Sequence, residues 1–109
     1  MKVNELAEAM DLKPLALSDG EREIDGCYVG DLLSWVMGRA KSGNVWVTIM
    51  SNVNIVAVAT LADVACVILA EGVTVGDDVT AVAKAKGVNL FTTDLTAYEI
   101  AAKVAALTA

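Results

Sequence analysis

The chain is 109 residues long, the length of one domain with one core. Fourteen acidic side chains against eight basic ones give a net charge of −6, and no run of lysine or arginine is present to neutralise phosphates, which excludes nucleic acid and an anionic membrane surface as partners. Histidine is absent and the two cysteines, Cys27 and Cys66, lie far apart outside any C-x-x-C, so a zinc site lacks its ligands and neither a metal nor a cofactor is called for.

Apolar residues make up 56% of the chain and aromatics only 5%, so the core is built from Val, Ala, Leu and Ile, the composition of a parallel sheet covered by helices. Within such a core both cysteines are expected to be reduced and buried. The N-terminus, MKVNELAEAM, has acids where a signal peptide needs an apolar run, and a cytoplasmic location is the resulting expectation.

Val3 to Met10 reads as a short helix opened by Asn4, and Pro14 stops its continuation. Leu15 to Leu17 reads as a short edge strand, Ser18 to Glu21 as a turn, and Ile24 to Val29 as a strand ending at Gly30. Asp31 is placed to cap a helix running to Arg39 or Ala40, with Leu32, Leu33, Val36, Met37 and Ala40 as its apolar stripe and Trp35 off that stripe.

The next segment poses a sharper question, because Val53 to Ala70 is apolar except for Asn54, Thr60 and Asp63 and is almost long enough to cross a bilayer. Asp63 inside it argues against a membrane span, and the residue types divide it. Val45 to Met50 and Ala65 to Ala70 have the β-branched, short side chains of buried strands, while Asn54 to Val64 between them is helix-permissive. A strand, a helix and a second strand make a βαβ unit. Ser51, Asn52 and Asn54 supply capping oxygens, and the all-round apolar helix is expected to be buried on two sides by other helices or by a partner subunit.

Gly76-Asp77-Asp78 starts a helix that Gly87 ends after Lys86, Asn89 to Thr92 is the last strand, and Asp94 or Thr96 caps a final helix through Leu107. The whole is expected to be a three-layer α/β domain over residues 1–109, its mainly parallel sheet of four to five strands flanked by helices.

The stretches VNELAEAM, GCYVGDLLSWVMGRA and VWVTIMSNVNIVAVATLADVACVILAEG together resemble the DRTGG domain. That family is named for an Asp-Arg after one strand and a Thr-Gly-Gly after the next. In this chain Ser51-Asn52-Val53 stands where the family has Gly-Asp-Arg and Ala70-Glu71-Gly72 where it has Thr-Gly-Gly, so only the last glycine remains. The resemblance implies the architecture of the N-terminal domains of HPr kinase/phosphorylase and of Mur ligases. It also implies a regulatory rather than catalytic role, since such domains occur alone, beside CBS domains in regulatory pyrophosphatases and ahead of phosphotransacetylase catalytic domains.

In an open parallel sheet ligands bind outside the carboxyl ends of the strands, where strand order reverses. The ends here carry Gly30, Asp31, Ser51, Asn52, Asn54, Glu71, Gly72, Thr93 and Asp94, beside helix N-termini that favour an anion. These residues are the expected ligand-binding set, and each also suits a cap or a turn. No G-x-x-x-x-G-K-[ST], G-x-S-x-G or cysteine with a neighbouring base is present, so an enzyme is not expected. Two functions compete: a homodimerisation or protein-interaction module in a regulatory or signalling pathway, anchored by Trp35, and a sensor of a nucleotide or phosphorylated metabolite at the strand-end rim.

Overall fold

The computed structural model describes residues 1–109. Along the chain run α1 (Val3–Met10), β1 (Lys13–Ala16), β2 (Cys27–Val29), α2 (Leu33–Arg39), β3 (Val45–Thr48), α3 (Asn54–Ala62), β4 (Cys66–Leu69), α4 (Asp77–Lys86), β5 (Leu90–Thr92) and α5 (Ala97–Thr108). The five strands form one sheet in the order β1-β5-β4-β3-β2, parallel from β2 to β5, with β1 added antiparallel to β5. No helix is long and apolar enough to cross a membrane.

The four parallel strands step across the sheet in sequence order, so right-handed crossovers place α2, α3 and α4 on the same face. There Trp46, Val67, Leu69 and Leu90 of the sheet meet Val36, Ile55, Val56, Val79 and Ala83 of those helices. On the other face Val45, Val47, Cys66, Ile68 and Phe91 pack against Val3 and Leu6 of α1 and Ile100 and Val104 of α5. Every residue of β3, β4 and β5 is buried, because both faces are covered. The second face of α3 is met in part by α2 and α4, while Leu61 stays 70% exposed.

Several local expectations are corrected. The N-cap of α1 is Lys2, whose N–H donates to the Glu5 carboxylate, while Asn4 lies in the first turn. The first strand takes in Lys13 and Pro14, which an edge strand tolerates. The second is cut to three residues because Gly26 turns to φ +80° ahead of it. Only Val36 of the α2 stripe is fully buried, since the helix sits over the outermost strand; Leu32 and Met37 are 57% and 49% exposed, like Trp35 at 52%. Cys27 is exposed on that same strand rather than buried with Cys66. Burial pushes the Cys66 thiol up to about 12 and desolvation also raises that of Cys27, so neither is a ready thiolate.

The edge of the sheet at the amino ends of the parallel strands is sealed. Asn89, just before β5, accepts from the backbone N–H groups of Ser18 and Asp19, both at 2.9 Å, and donates to the carbonyls of Asp19 and Ala65 at 2.8 and 3.0 Å. Its amide thereby uses both lone pairs and both N–H groups. Asn44, just before β3, accepts from Lys41 N–H and donates to the Asp25 carbonyl. Arg22 reaches the Asp63 carboxylate at 3.1 Å, and the Ser42 hydroxyl donates to the same group. The long segment between β1 and β2 crosses the molecule held by these contacts.

Candidate site at the carboxyl-end rim

Because β2 to β5 are parallel, their carboxyl ends lie along the opposite edge, and the antiparallel β1 begins there. The consecutive strand order contains no reversal among the parallel strands, so the crevice expected at a switch point does not form. The concavity lies instead at one end of the rim, where α1 turns into β1 beside β5.

In the half of the rim next to β2, the polar side chains are occupied within the chain. The Asp31 carboxylate does not cap α2; it accepts from the Thr48 hydroxyl at 2.7 Å and from Ile49 N–H at 3.0 Å, tying the loop after β2 to the end of β3. The Gly30 carbonyl accepts from the indole N–H of Trp46 at 2.9 Å, and a Cβ at Gly30 would stand 2.9 Å from the Tyr28 ring. Asn52 Oδ1 accepts from Asn54 N–H, turning the chain into α3, whose first residue is Asn54 and whose N-cap is Val53. Ser51 is exposed beside them.

The half next to β5 is built differently. Glu71 and Gly72, after β4, are both left-handed, with φ of 58° and 74°. Their N–H groups donate at 2.8 Å to the carbonyls of Leu95 and Thr93, clipping the loop after β4 to the loop after β5. A Cβ at Gly72 would stand 3.1 Å from Asp94 Oδ1 in a conformation that already favours glycine. The α5 cap belongs to Thr96, which accepts from Glu99 N–H while the Glu99 carboxylate accepts from Thr96 N–H at 3.0 Å; that bond holds the Glu99 pKa below its usual value. Asp94 is therefore left outside the helix and faces the solvent.

Gly72, Thr93 and Asp94 line one wall of a cleft of about 740 Å³. The other walls come from residues that the sequence pattern does not single out: Met10 and Asp11 at the end of α1, Lys13 in β1, Thr74 after β4, Thr92 in β5 and Lys103 in α5. Asp11 is itself left-handed, with φ 53°, which turns the chain sharply from α1 towards β1 and forms the cleft's corner. Of the nine expected residues, Gly30, Asp31, Ser51, Asn52, Asn54 and Glu71 do not line it. The one available sequence signal for Lys103 is its position just before buried Val104 and three residues after buried Ile100, which puts it at the margin of the sheet-facing stripe.

None of the cleft's charges is held in an ion pair, although Lys103, one turn beyond Glu99 on α5, adds to the Thr96 hydrogen bonds in lowering that carboxyl's pKa. The ion pairs of the molecule join Met1 to Glu23, Lys2 to Glu21 and Arg22 to Asp63, and none involves Lys13, Lys103, Asp11 or Asp94. No group of three or more Cys, Asp or Glu side chains gathers as a metal site there or elsewhere. The Thr92 hydroxyl donates to the Val73 carbonyl, but two ammonium groups and the hydroxyls of Thr74 and Thr93 around a concavity of ligand size can hold an anionic group together with a hydroxylated one.

No curated protein matches the chain. Among solved structures it is similar to the CBS and DRTGG domains of the regulatory region of Clostridium perfringens pyrophosphatase, complexed with activator, diadenosine tetraphosphate. The TM-score is 0.70 at 12% identity, a likeness of fold covering 94% of this chain and 45% of that one. The family model of the DRTGG domain matches residues 5–107, and with the helix-covered parallel sheet and the surviving Gly72 in place, this chain belongs to the DRTGG domain family.

Proposed function

We propose that this DRTGG regulatory domain acts as a sensor, taking a small phosphorylated ligand into the cleft between the α1–β1 corner, the ends of β4 and β5, and α5. The observation that carries the reading is the presence of Lys13 and Lys103, unpaired, at one concavity of a chain whose net charge is −6. A cleft of about 740 Å³ is in the range of small-molecule sites. The similar regulatory region is described in complex with a nucleotide activator, which supports a ligand of this class. Gly72, Thr93 and Asp94 are the rim residues proposed to touch it. Occupancy would fix the α1–β1 corner against the β4 and β5 loops, the signal passed to a protein partner.

A thermal-shift screen with adenine and guanine nucleotides and phosphorylated metabolites tests the proposal. A ligand at 100 times its dissociation constant adds about 2.7 kcal/mol, a shift of several degrees for a domain of this size. The Lys13→Ala/Lys103→Ala variant should lose that shift. A screen without any selective shift, or one unchanged by the double substitution, would refute the cleft as the sensor site.

A second reading, self-association, is favoured by one feature. β2 is an open edge strand, and beside it Val29, Leu32 and Trp35 are exposed by 48%, 57% and 52%, with Arg39 stacked 3.8 Å over the Trp35 ring. Exposed edge strands and aromatic side chains are common contact points between copies. Trp35→Glu should convert a dimer to a monomer in light scattering; a wild-type monomer at high concentration would remove this reading.

A further inference from the structure

The lining of the cleft restricts the ligand beyond its charge. None of its residues is aromatic. Trp46 and Phe91 are locked in the two core layers, Tyr28 and Trp35 belong to the β2 side, and Tyr98, although on α5, is 80% exposed and outside the lining. The apolar part consists of Ala9, Met10 and Leu95, which offer no flat slot for a purine or pyrimidine. The strongest face contacts a base can make are with aromatic or guanidinium planes, and the cleft has neither.

Its polar groups form a complementary set. Lys13 and Lys103 supply charged donors suited to a phosphate dianion. Asp11 and Asp94, in no ion pair, are acceptors suited to hydroxyl groups and disfavour a second phosphate close by. Opposite charges held in one cleft without an ion pair between them suit a ligand that is anionic at one end and rich in hydroxyls at the other; Lys103 keeps only a longer-range interaction with Glu99.

Resting on the sensor reading above, we infer that the ligand recognised in this cleft is a phosphorylated polyol, a sugar monophosphate in chemical class, and that a nucleobase contributes nothing to its binding. Isothermal titration of the intact chain with triose, pentose and hexose monophosphates, AMP, inorganic phosphate and free ribose tests this. At least one sugar phosphate should bind about tenfold or more tightly than inorganic phosphate, and AMP no more tightly than ribose 5-phosphate. Lys103→Ala should weaken the sugar phosphate by about tenfold, the usual loss of a charge-assisted hydrogen bond. Asp94→Asn should weaken it while leaving inorganic phosphate within about twofold, because only the hydroxyl end meets that carboxylate. Both side chains are exposed, so the variants are expected to fold. AMP binding about tenfold above ribose 5-phosphate, with lysine dependence, would overturn the inference and leave the sensor reading standing. Equal binding of sugar phosphate and inorganic phosphate would reduce the cleft to an anion site and also overturn it. Absence of binding by every phosphorylated probe would overturn both.

Discussion

The two edges of the sheet, one at the amino ends of the parallel strands and one at their carboxyl ends, are made of similar residue types put to different uses. At the amino edge, Asn44, Asn89, Arg22, Ser42 and Asp63 spend their hydrogen-bonding capacity on one another and on the backbone. At the carboxyl edge the β2 half does the same through Asp31 and Asn52, and only the β5 half leaves charged groups unpaired around a cleft. Polar side chains at loop positions are thus weak pointers to function; what matters is whether the fold has already satisfied them.

The amino edge is most vulnerable at Asn89. Asn89→Ala strips the buried Ala65 carbonyl and the part-buried backbone groups of Ser18 and Asp19 of their partner and is expected to cost about 2 kcal/mol, and to lower Tm by on the order of 10 °C. A change of under about 1 kcal/mol in urea titration would show that water replaces the amide and that this edge is not sealed. Next in size is Asp31→Ala, which strips the Thr48 hydroxyl and Ile49 N–H of their acceptor and should cost about 1–2 kcal/mol. The same substitution should leave ligand binding unaffected; loss of binding with intact stability would move the site towards β2.

Lys13→Ala and Lys103→Ala should each change stability by within about 0.5 kcal/mol, as exposed substitutions do, while roughly halving the ligand-induced thermal shift, as a tenfold loss of affinity requires. A large stability loss would assign these lysines to structure. The smallest effect concerns acid. The Arg22 guanidinium, followed by the Ser42 hydroxyl, holds the Asp63 carboxyl below the usual carboxylate value. A group with a lowered folded pKa stabilises fully above its unfolded value of about 4 and loses that contribution as pH falls through the folded pKa. Asp63 is largely exposed, with 60% of its side chain accessible, so the screened contribution is at most about 1 kcal/mol. Asp63→Asn, which tolerates the left-handed φ of 56°, should flatten the fall in Tm between pH 5 and 3. An identical slope in the variant would show that the pair contributes nothing.

The elements most legible in the sequence are those whose burial is complete. β3 and β4 are continuous β-branched runs because both of their faces are covered, and the helix between them was identified by its length and residue type. Gly87 as the end of α4 follows from local chemistry alone, whereas local chemistry leaves Asp94 and Thr96 equally placed to cap α5 and the fold selects Thr96. The roles of Asp31, Asn4 and Asp94 were not legible, since an acid or amide beside a helix start looks the same whether it caps that helix, reaches a neighbouring strand or faces an open cleft.

The amino acids alone specify a helix-covered parallel sheet without the motifs of a catalytic site. Those properties depend on composition and on periodicity within single elements. The cleft, by contrast, exists only in the packed molecule. Strand order, the antiparallel addition of β1 beside β5 and the placing of Lys13 and Lys103 in the lining of one cleft arise from packing between distant segments, which no local pattern encodes.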